Sequence, residues 1–238
     1  HINSRSIHSA ISMPHWGTVW GPTVIAGRSN SAIGRIATCP CNFSWLAHDT
    51  DETRPSRTAR SEMSAATLRR AYAVHPIAAM QTEYSPWTRN VELGVLETTR
   101  ELGIALVAFS PVARGALAGA LGDPLVLAEK DLRATHPRFS RENWPRNMDM
   151  IRAFNAVAED AGITPAQLSL AWVLSRGDHV HAIPGTVNSD HMAQNIAARD
   201  LALDDAVLER VGAIVNQQTV SGHRYPDVMR ATIDTEDF

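Results

Sequence analysis

From residue 61 onward the apolar and polar positions run in two rhythms, and each change of rhythm marks an element. Leu68, Ala71 and Tyr72 share one face of a helix over 65–74 that Ser64 can cap. After Pro76 the run Ile77-Ala78-Ala79-Met80-Gln81 reads as a short buried strand. Val95, Leu96, Thr99 and Leu102 recur at helical spacing over 91–102, and Gly103 closes that helix. Ile104-Ala105-Leu106-Val107-Ala108-Phe109 is apolar without alternation, which predicts a parallel strand covered on both faces. A long loop over 110–146 holds Pro111, Pro124, Pro137 and Pro145. A helix over 147–161 brings Met150, Phe154 and Val157 together. The next helix has a clear start, with Thr164 as cap, Pro165 first and Gln167 completing a capping box. It runs through Leu168, Ala171, Trp172 and Leu174 to Arg176-Gly177. His179 to Ile183 forms a strand, helices follow over 189–198 and 204–215, and the tail 216–238 reads as irregular. Strand and helix in repeated succession define a parallel α/β sheet, open or closed into a barrel.

Residues 1–60 do not share this pattern. They hold one leucine (Leu46), no lysine, three of the six tryptophans, four histidines and both cysteines, against 16 leucines in 61–238. Six arginines face three acids there, whereas the remainder carries 16 basic residues and 22 acids. No window keeps a helical period for three turns, and the best strand candidate is Thr23-Val24-Ile25-Ala26. So little leucine cannot build much core, so an irregular or disordered segment is expected. Two origins fit: a genuine divergent segment, or an out-of-frame or artificial stretch.

Composition narrows the function classes. A chain of 238 residues with 44% apolar and 20% charged residues is long enough for a substantial core and ordinary for a soluble protein. The net charge of -3 argues against nucleic acid as a partner. No apolar run nears the roughly 20 residues of a membrane span, and the start at His1 has no signal-peptide pattern, so the expected location is the cytoplasm. Cys39 and Cys41 form a lone Cys-x-Cys, too little to define a zinc site, and no metal is expected.

In parallel α/β proteins ligands gather at the C-terminal ends of strands. The residues at those ends are Gln81, Glu83 and Tyr84, then Phe109, Ser110 and Arg114, then Pro184 to Asn188. Each also has a plainer reading. Gln81 can cap a strand, Phe109 can be core, Ser110-Pro111 is a common turn, and Arg114 can be a solvated loop charge. The stretch HAIPGTVNSDHMAQN, residues 181–195, joins strand, glycine turn and helix N-terminus. That is an anion cradle in outline, yet it carries no lysine or arginine.

Taken in order, these pieces resemble the aldo-keto reductase family. The run from Ile77 to Gly119, IAAMQTEYSPWTRNVELGVLETTRELGIALVAFSPVARGALAG, carries most of the likeness. Ser61-Glu62, the block Thr164 to Trp172, Ile183-Pro184-Gly185-Thr186 with Gln194-Asn195, and the tail Gly222-His223-Arg224-Tyr225-Pro226 follow in matching order. The resemblance covers 61–238 and leaves 1–60 unmatched. It implies the C-terminal part of a (β/α)8 TIM barrel, incomplete, preceded by an irregular N-terminal segment. It further implies a nicotinamide dinucleotide, NADP or NAD, lying across the strand ends. Ser61 and Gln81 would hydrogen-bond the carboxamide, and Phe109 would stack on the nicotinamide ring. Ser110, Val112 and Arg114 would line the pyrophosphate loop. Gly185 and Thr186 would meet the adenosine ribose and its phosphate, His191 the adenine end, and Gln194 and Asn195 the adenine edge.

Family catalysis uses an Asp–Tyr–Lys–His set from the first half of the barrel. Tyr72, Tyr84, Tyr225 and the single lysine, Lys130, stand in other contexts, so no catalytic residue is assigned. Only 60 residues precede Ser61, where the family has about five strands and four helices. The implied activity is NAD(P)H-dependent reduction of an aldehyde or ketone, with the catalytic half missing. The alternative is a non-catalytic nucleotide- or partner-binding protein on the same scaffold. Exposed barrel edges would favour self-association. Val187-Asn188-Ser189-Asp190 replaces the basic residues that many relatives carry after Pro-Gly-Thr, which predicts a weakened preference for NADP or even use of NAD.

Overall fold

The computed structural model describes residues 58–119, 121, 127 and 131–237. The N-terminal expectations, the cysteine pair and Lys130 lie outside the described residues. Four parallel strands form one sheet whose spatial order follows the chain, β1 (Thr58–Ser61), β2 (Ile77–Glu83), β3 (Ala105–Phe109) and β4 (Val180–Ile183). Neighbours in sequence that are neighbours in space, all parallel and joined through helices, are the signature of a barrel wall. These four strands make part of such a wall, with α1 (Ala65–Val74) between β1 and β2 and α2 (Val95–Glu101) between β2 and β3. Two helices, α3 (Trp144–Asp160) and α4 (Pro165–Leu174), connect β3 to β4. Then α5 (Ser189–Ala197), α6 (Asp205–Ile214) and a single turn, α7 (Asp227–Arg230), complete the chain.

Strand register explains which side chains face the helices. Met80, Leu106 and Val180 lie level across β2, β3 and β4, and all three are buried. Thr82, Ala108 and Ala182 form the next buried row on that face. The opposite, concave face presents Gln81, Val107 and His181 in one row and Glu83, Phe109 and Ile183 in the next. Full cover on both faces of β3 was the expectation, but Ala105, Val107 and Phe109 are only half-buried. The helices pack on one side of the sheet, and the concave side is lined mainly by its own residues. Helix α4 seals the core. Every residue from Leu168 to Leu174 is buried, between α3, α5 and β4.

Local chemistry sets the helix ends. Ser64 Oγ accepts from the Thr67 N–H at 3.2 Å, and Thr164 with Gln167 completes the expected capping box, at 3.2 and 3.1 Å. The expected helix over 91–102 is divided into a 3-10 turn, Asn90–Leu93, and α2. Gly94 lies between them with a non-helical backbone, and a Cβ there would stand 3.1 Å from the Ala65 Cβ, so glycine lets α2 start against α1. Helix α3 begins earlier than its apolar spacing suggested, at Trp144, because Pro145 fits the first turn, where no N–H is needed. The loop 110–146 contains 3-10 turns at Ala113–Gly115, Leu132–Thr135 and Pro137–Phe139. The tail is more ordered than its sequence pattern suggests. Asp234 donates its backbone N–H to Glu62 O at 3.3 Å and bridges in parallel to Met63. Among the described residues no helix is long and apolar enough to cross a membrane, and no group of three His, Cys, Asp or Glu could hold a metal.

Candidate functional site

The residues singled out at strand ends converge on one rim. Ser61 is the last residue of β1 and pairs in register with Gln81, so two uncharged polar side chains lie side by side. Phe109 ends β3, one strand further along and two residues higher, level with Glu83 and Ile183. Its ring is half-buried, so part of an aromatic face stays open. The loop that follows is tightly wound. Ser110, Ala113 and Arg114 have φ of 50°, 53° and 56°, and Gly115 continues in the same left-handed region at 92°. Three non-glycine residues in that region cost of order 1 kcal/mol or more each. Ala113 N–H to Ser110 O at 2.9 Å, Gly115 N–H to Val112 O at 3.0 Å and the Ser169 hydroxyl on Pro111 O at 2.6 Å hold the loop there.

Arg114 is not a solvated loop charge. Its guanidinium donates to Glu83 Oε2 at 2.9 Å and lies 5.4 Å from the centre of the Tyr225 ring. Glu83 is 3% exposed and is approached from three directions. The Thr88 hydroxyl donates to its Oε1 at 3.1 Å, and Arg224 NH1 stands 3.7 Å from its Oε2. Arg224, itself 3% exposed, donates through NH2 to Glu62 Oε2 at 2.6 Å and to the Thr235 hydroxyl at 2.7 Å. Burial pushes the Glu83 carboxyl up. The guanidiniums of Arg114, Arg224 and Arg138, with the Thr88 hydroxyl, outweigh that and hold it below the ordinary carboxylate range. His136 sits beside this cluster with Nδ1 2.7 Å from Leu132 O, and burial with the Arg114 charge draws its pKa down. Sequence analysis marked Glu83 only as a strand-end residue and gave Arg114 to the pyrophosphate loop, without joining the two. The pattern Ser-Glu, Thr-Glu-Tyr-Ser and His-Arg-Tyr-Pro contained the network, but nothing in spacing alone joins positions 162 residues apart.

The turn after β4 is open. A Cβ on Gly185 would meet nothing within 4 Å, so a ligand can approach the backbone closely. The N-terminus of α5 is less free than its outline suggests. Asn188 is its cap, and its Oδ1 accepts from the Asp190 N–H at 2.8 Å and the His191 N–H at 3.3 Å. The Thr186 hydroxyl in turn accepts from the Asn188 N–H at 3.1 Å. Asp190 adds a carboxylate to the first turn, and Val187, Asn188 and Ser189 bring no cation. His191 and Gln194 are exposed, whereas Asn195 is buried, so the first two are the reachable groups of the set at 191–195.

The tyrosines are occupied elsewhere. Tyr84 is fully buried, donates to Glu92 Oε1 at 2.8 Å and packs edge-on against Trp172. Burial and the Glu92 charge raise its pKa far above the phenol range, and burial does the same for Tyr225 beside Glu83. Tyr72 lies in α1, away from the strand ends.

A parallel sheet in chain order, joined through helices, is part of the wall of a (β/α)8 barrel. A model of the family described as "Aldo/keto reductase family" matches residues 57–216, and the chain belongs to that family. It is 37% identical over 181 residues to the aldo-keto reductase str7 of Strobilurus tenacellus, covering 75% of this chain and 54% of that protein. It is 39% identical over 169 residues to the aldo-keto reductase yakc [NADP(+)] of Schizosaccharomyces pombe, covering 70% and 50%. A glycerol dehydrogenase structure from Gluconobacter oxydans shares the fold with a TM-score of 0.62 at 22% identity, over 70% of this chain and 50% of that one. The chain thus spans about half the length of the curated relatives it matches.

Proposed function

We propose that this chain is the cofactor-side half of a nicotinamide-dependent aldo-keto reductase, which reduces an aldehyde or ketone to an alcohol. The observation that carries the reading is the rim itself, with Ser61 and Gln81 paired in register and the half-open ring of Phe109 one strand away. Bound there, a reduced nicotinamide supplies the hydride. Ser61 and Gln81 hold its carboxamide, which fixes the ring face, and Phe109 covers that ring. The Ser110, Val112 and Arg114 loop follows the pyrophosphate, with Arg114 contributing backbone because its guanidinium is committed to Glu83. Gly185 and Thr186 admit the adenosine side, and His191, Gln194 and the enclosed Asn195 border the adenine.

The adenosine end fits NAD better than NADP. A 2′-phosphate needs a cation and free N–H groups, whereas Asp190 supplies a carboxylate and Asn188 already takes two N–H groups of α5. The name of the fission-yeast relative includes NADP(+), so this chain would depart from it. Titration of the purified chain with NADH and NADPH, followed by reduced-nicotinamide fluorescence, tests the reading. Saturable binding with NADH at least as tight as NADPH is expected, and Phe109→Ala weakens it by about fivefold or more, roughly 1 kcal/mol of lost stacking. Absence of binding to either would overturn the proposal, and a strong preference for NADPH would overturn its cofactor part.

A second reading is a nucleotide-binding protein without catalysis. The enclosed hydroxyl of Tyr84 supports it, because that phenol donates to Glu92 and is withdrawn from any substrate. Normal carbonyl reductase turnover by the purified chain excludes the second reading.

A further inference from the structure

A cavity of about 330 Å3 opens between the segment after β2, the Pro137–Phe139 turn and the tail. Trp87, Val220, Arg138, Arg224, His223 and Asp237 are among its walls. None of these belongs to the positions that would hold the dinucleotide. Most of the charges are paired, Arg224 with Glu62 and His223 with Asp237. Arg138 is different. Its Nε donates to Gly222 O at 3.2 Å, and its NH1 to Trp87 O at 2.9 Å and to the Thr88 hydroxyl at 2.8 Å. All three acceptors are neutral, and no described carboxylate forms an ion pair with it, in contrast to Arg114 and Arg224 nearby. Burial draws its pKa down to about 10. Behind these walls Trp87 Nε1 and Arg224 Nη1 are buried without a hydrogen-bond partner among the described residues, the latter 3.7 Å from Glu83 Oε2. Glu83 and Asp237 offset the Arg138 charge only at longer range. A largely enclosed guanidinium without a direct ion pair is costly, and an anion in the cavity relieves that cost.

The walls also select the kind of anion. The guanidinium fork matches a planar carboxylate. Trp87, Pro86 and Val220 offer apolar surface for an organic body, while Asp237 penalises a second negative charge. We propose that this cavity binds a small organic monocarboxylate, its carboxylate paired with Arg138 and its apolar part against Trp87 and Val220. Because Arg224 and Arg114 both approach Glu83 Oε2, at 3.7 and 2.9 Å, the cavity is one carboxylate away from the loop after β3.

Isothermal titration of the full chain with benzoate, with benzyl alcohol and inorganic phosphate as controls, tests this. Saturable one-to-one benzoate binding is expected, with no binding of benzyl alcohol and weaker binding of phosphate. Arg138→Gln should weaken benzoate by at least about tenfold. Val220→Trp, which fills the cavity and leaves the bonds of Arg138 in place, should weaken it similarly. No saturation by roughly 20 mM benzoate, equal binding by Arg138→Gln, or phosphate binding as tight as benzoate overturns the proposal. Should Arg138→Gln fail to fold by circular dichroism, Val220→Trp and the unmodified chain decide. The Trp87 indole N–H resonance, assigned through Trp87→Phe, must then shift with benzoate and stay still with benzyl alcohol, and a resonance unmoved by benzoate rejects the site.

Discussion

At Glu83 one carboxylate answers two guanidiniums directly and a third at longer range. Removing its charge takes the ion-pair partner of Arg114 and leaves Arg224 with Glu62 alone, so Glu83→Gln should cost about 3 kcal/mol in urea unfolding. The pH dependence follows from the direction of the shift. The folded-state pKa of Glu83 lies below its unfolded value, so its stabilisation is present above the ordinary carboxylate range and is lost as pH falls through the folded pKa. His136 is also lowered, but as a base, so the unfolded chain takes up its proton first and stability starts to fall as pH drops below about 6.5. Unfolding midpoints measured from pH 8 to pH 3 should therefore fall in two stages, with the upper stage reduced in a His136→Phe variant that still folds, His179, also lowered by burial, supplying the rest. Glu83 was marked only as a strand-end residue, and His136 not at all. A buried carboxylate between distant arginines leaves no periodic trace in a sequence, and its partners are set only when the tail closes over the sheet.

The elements differ in how openly their residues declared them. Helix α4 was legible to the residue at its start, because a capping box is a local signal between Thr164 and Gln167. Strands β2, β3 and β4 were legible as short apolar runs. Strand β1, Thr-Ala-Arg-Ser, has almost no apolar pattern and exists through its pairing with β2, so only the motif at its end drew notice. The one-turn α7 is too short to show a period. Helix α5 was placed correctly, but its cap was not foreseen, and that cap changes the chemistry of its N-terminus. Asn188→Ala should lower stability by about 1 kcal/mol in thermal unfolding, since two N–H groups lose their acceptor. Asp190→Arg exchanges a carboxylate for a cation in the same turn. It should raise the affinity for NADPH relative to NADH by about tenfold, roughly 1.4 kcal/mol, measured by the same fluorescence titration.

Across the whole molecule, the described sheet has β1 and β4 as its outer strands. Parallel outer strands invite pairing with a second chain. Sedimentation velocity should show the average mass rising with protein concentration, and a strictly constant monomer mass would remove this expectation. The parallel α/β class was readable from the succession of strand and helix, and the barrel from the family resemblance, whereas the rim depends on contacts no local pattern encodes. Glu62 and Arg224, the two ends of its longest ion pair, are separated by 162 positions. Synthesis is directional, so the carboxylates of Glu62 and Glu83 emerge before Arg114, and Arg224 follows more than a hundred residues later. Until then the two acids keep their water, because drying them without Arg224 would strand a charge. The rim of the nascent chain therefore stays wet while the helices behind it are already able to pack, and it can close only once Arg224 has been made.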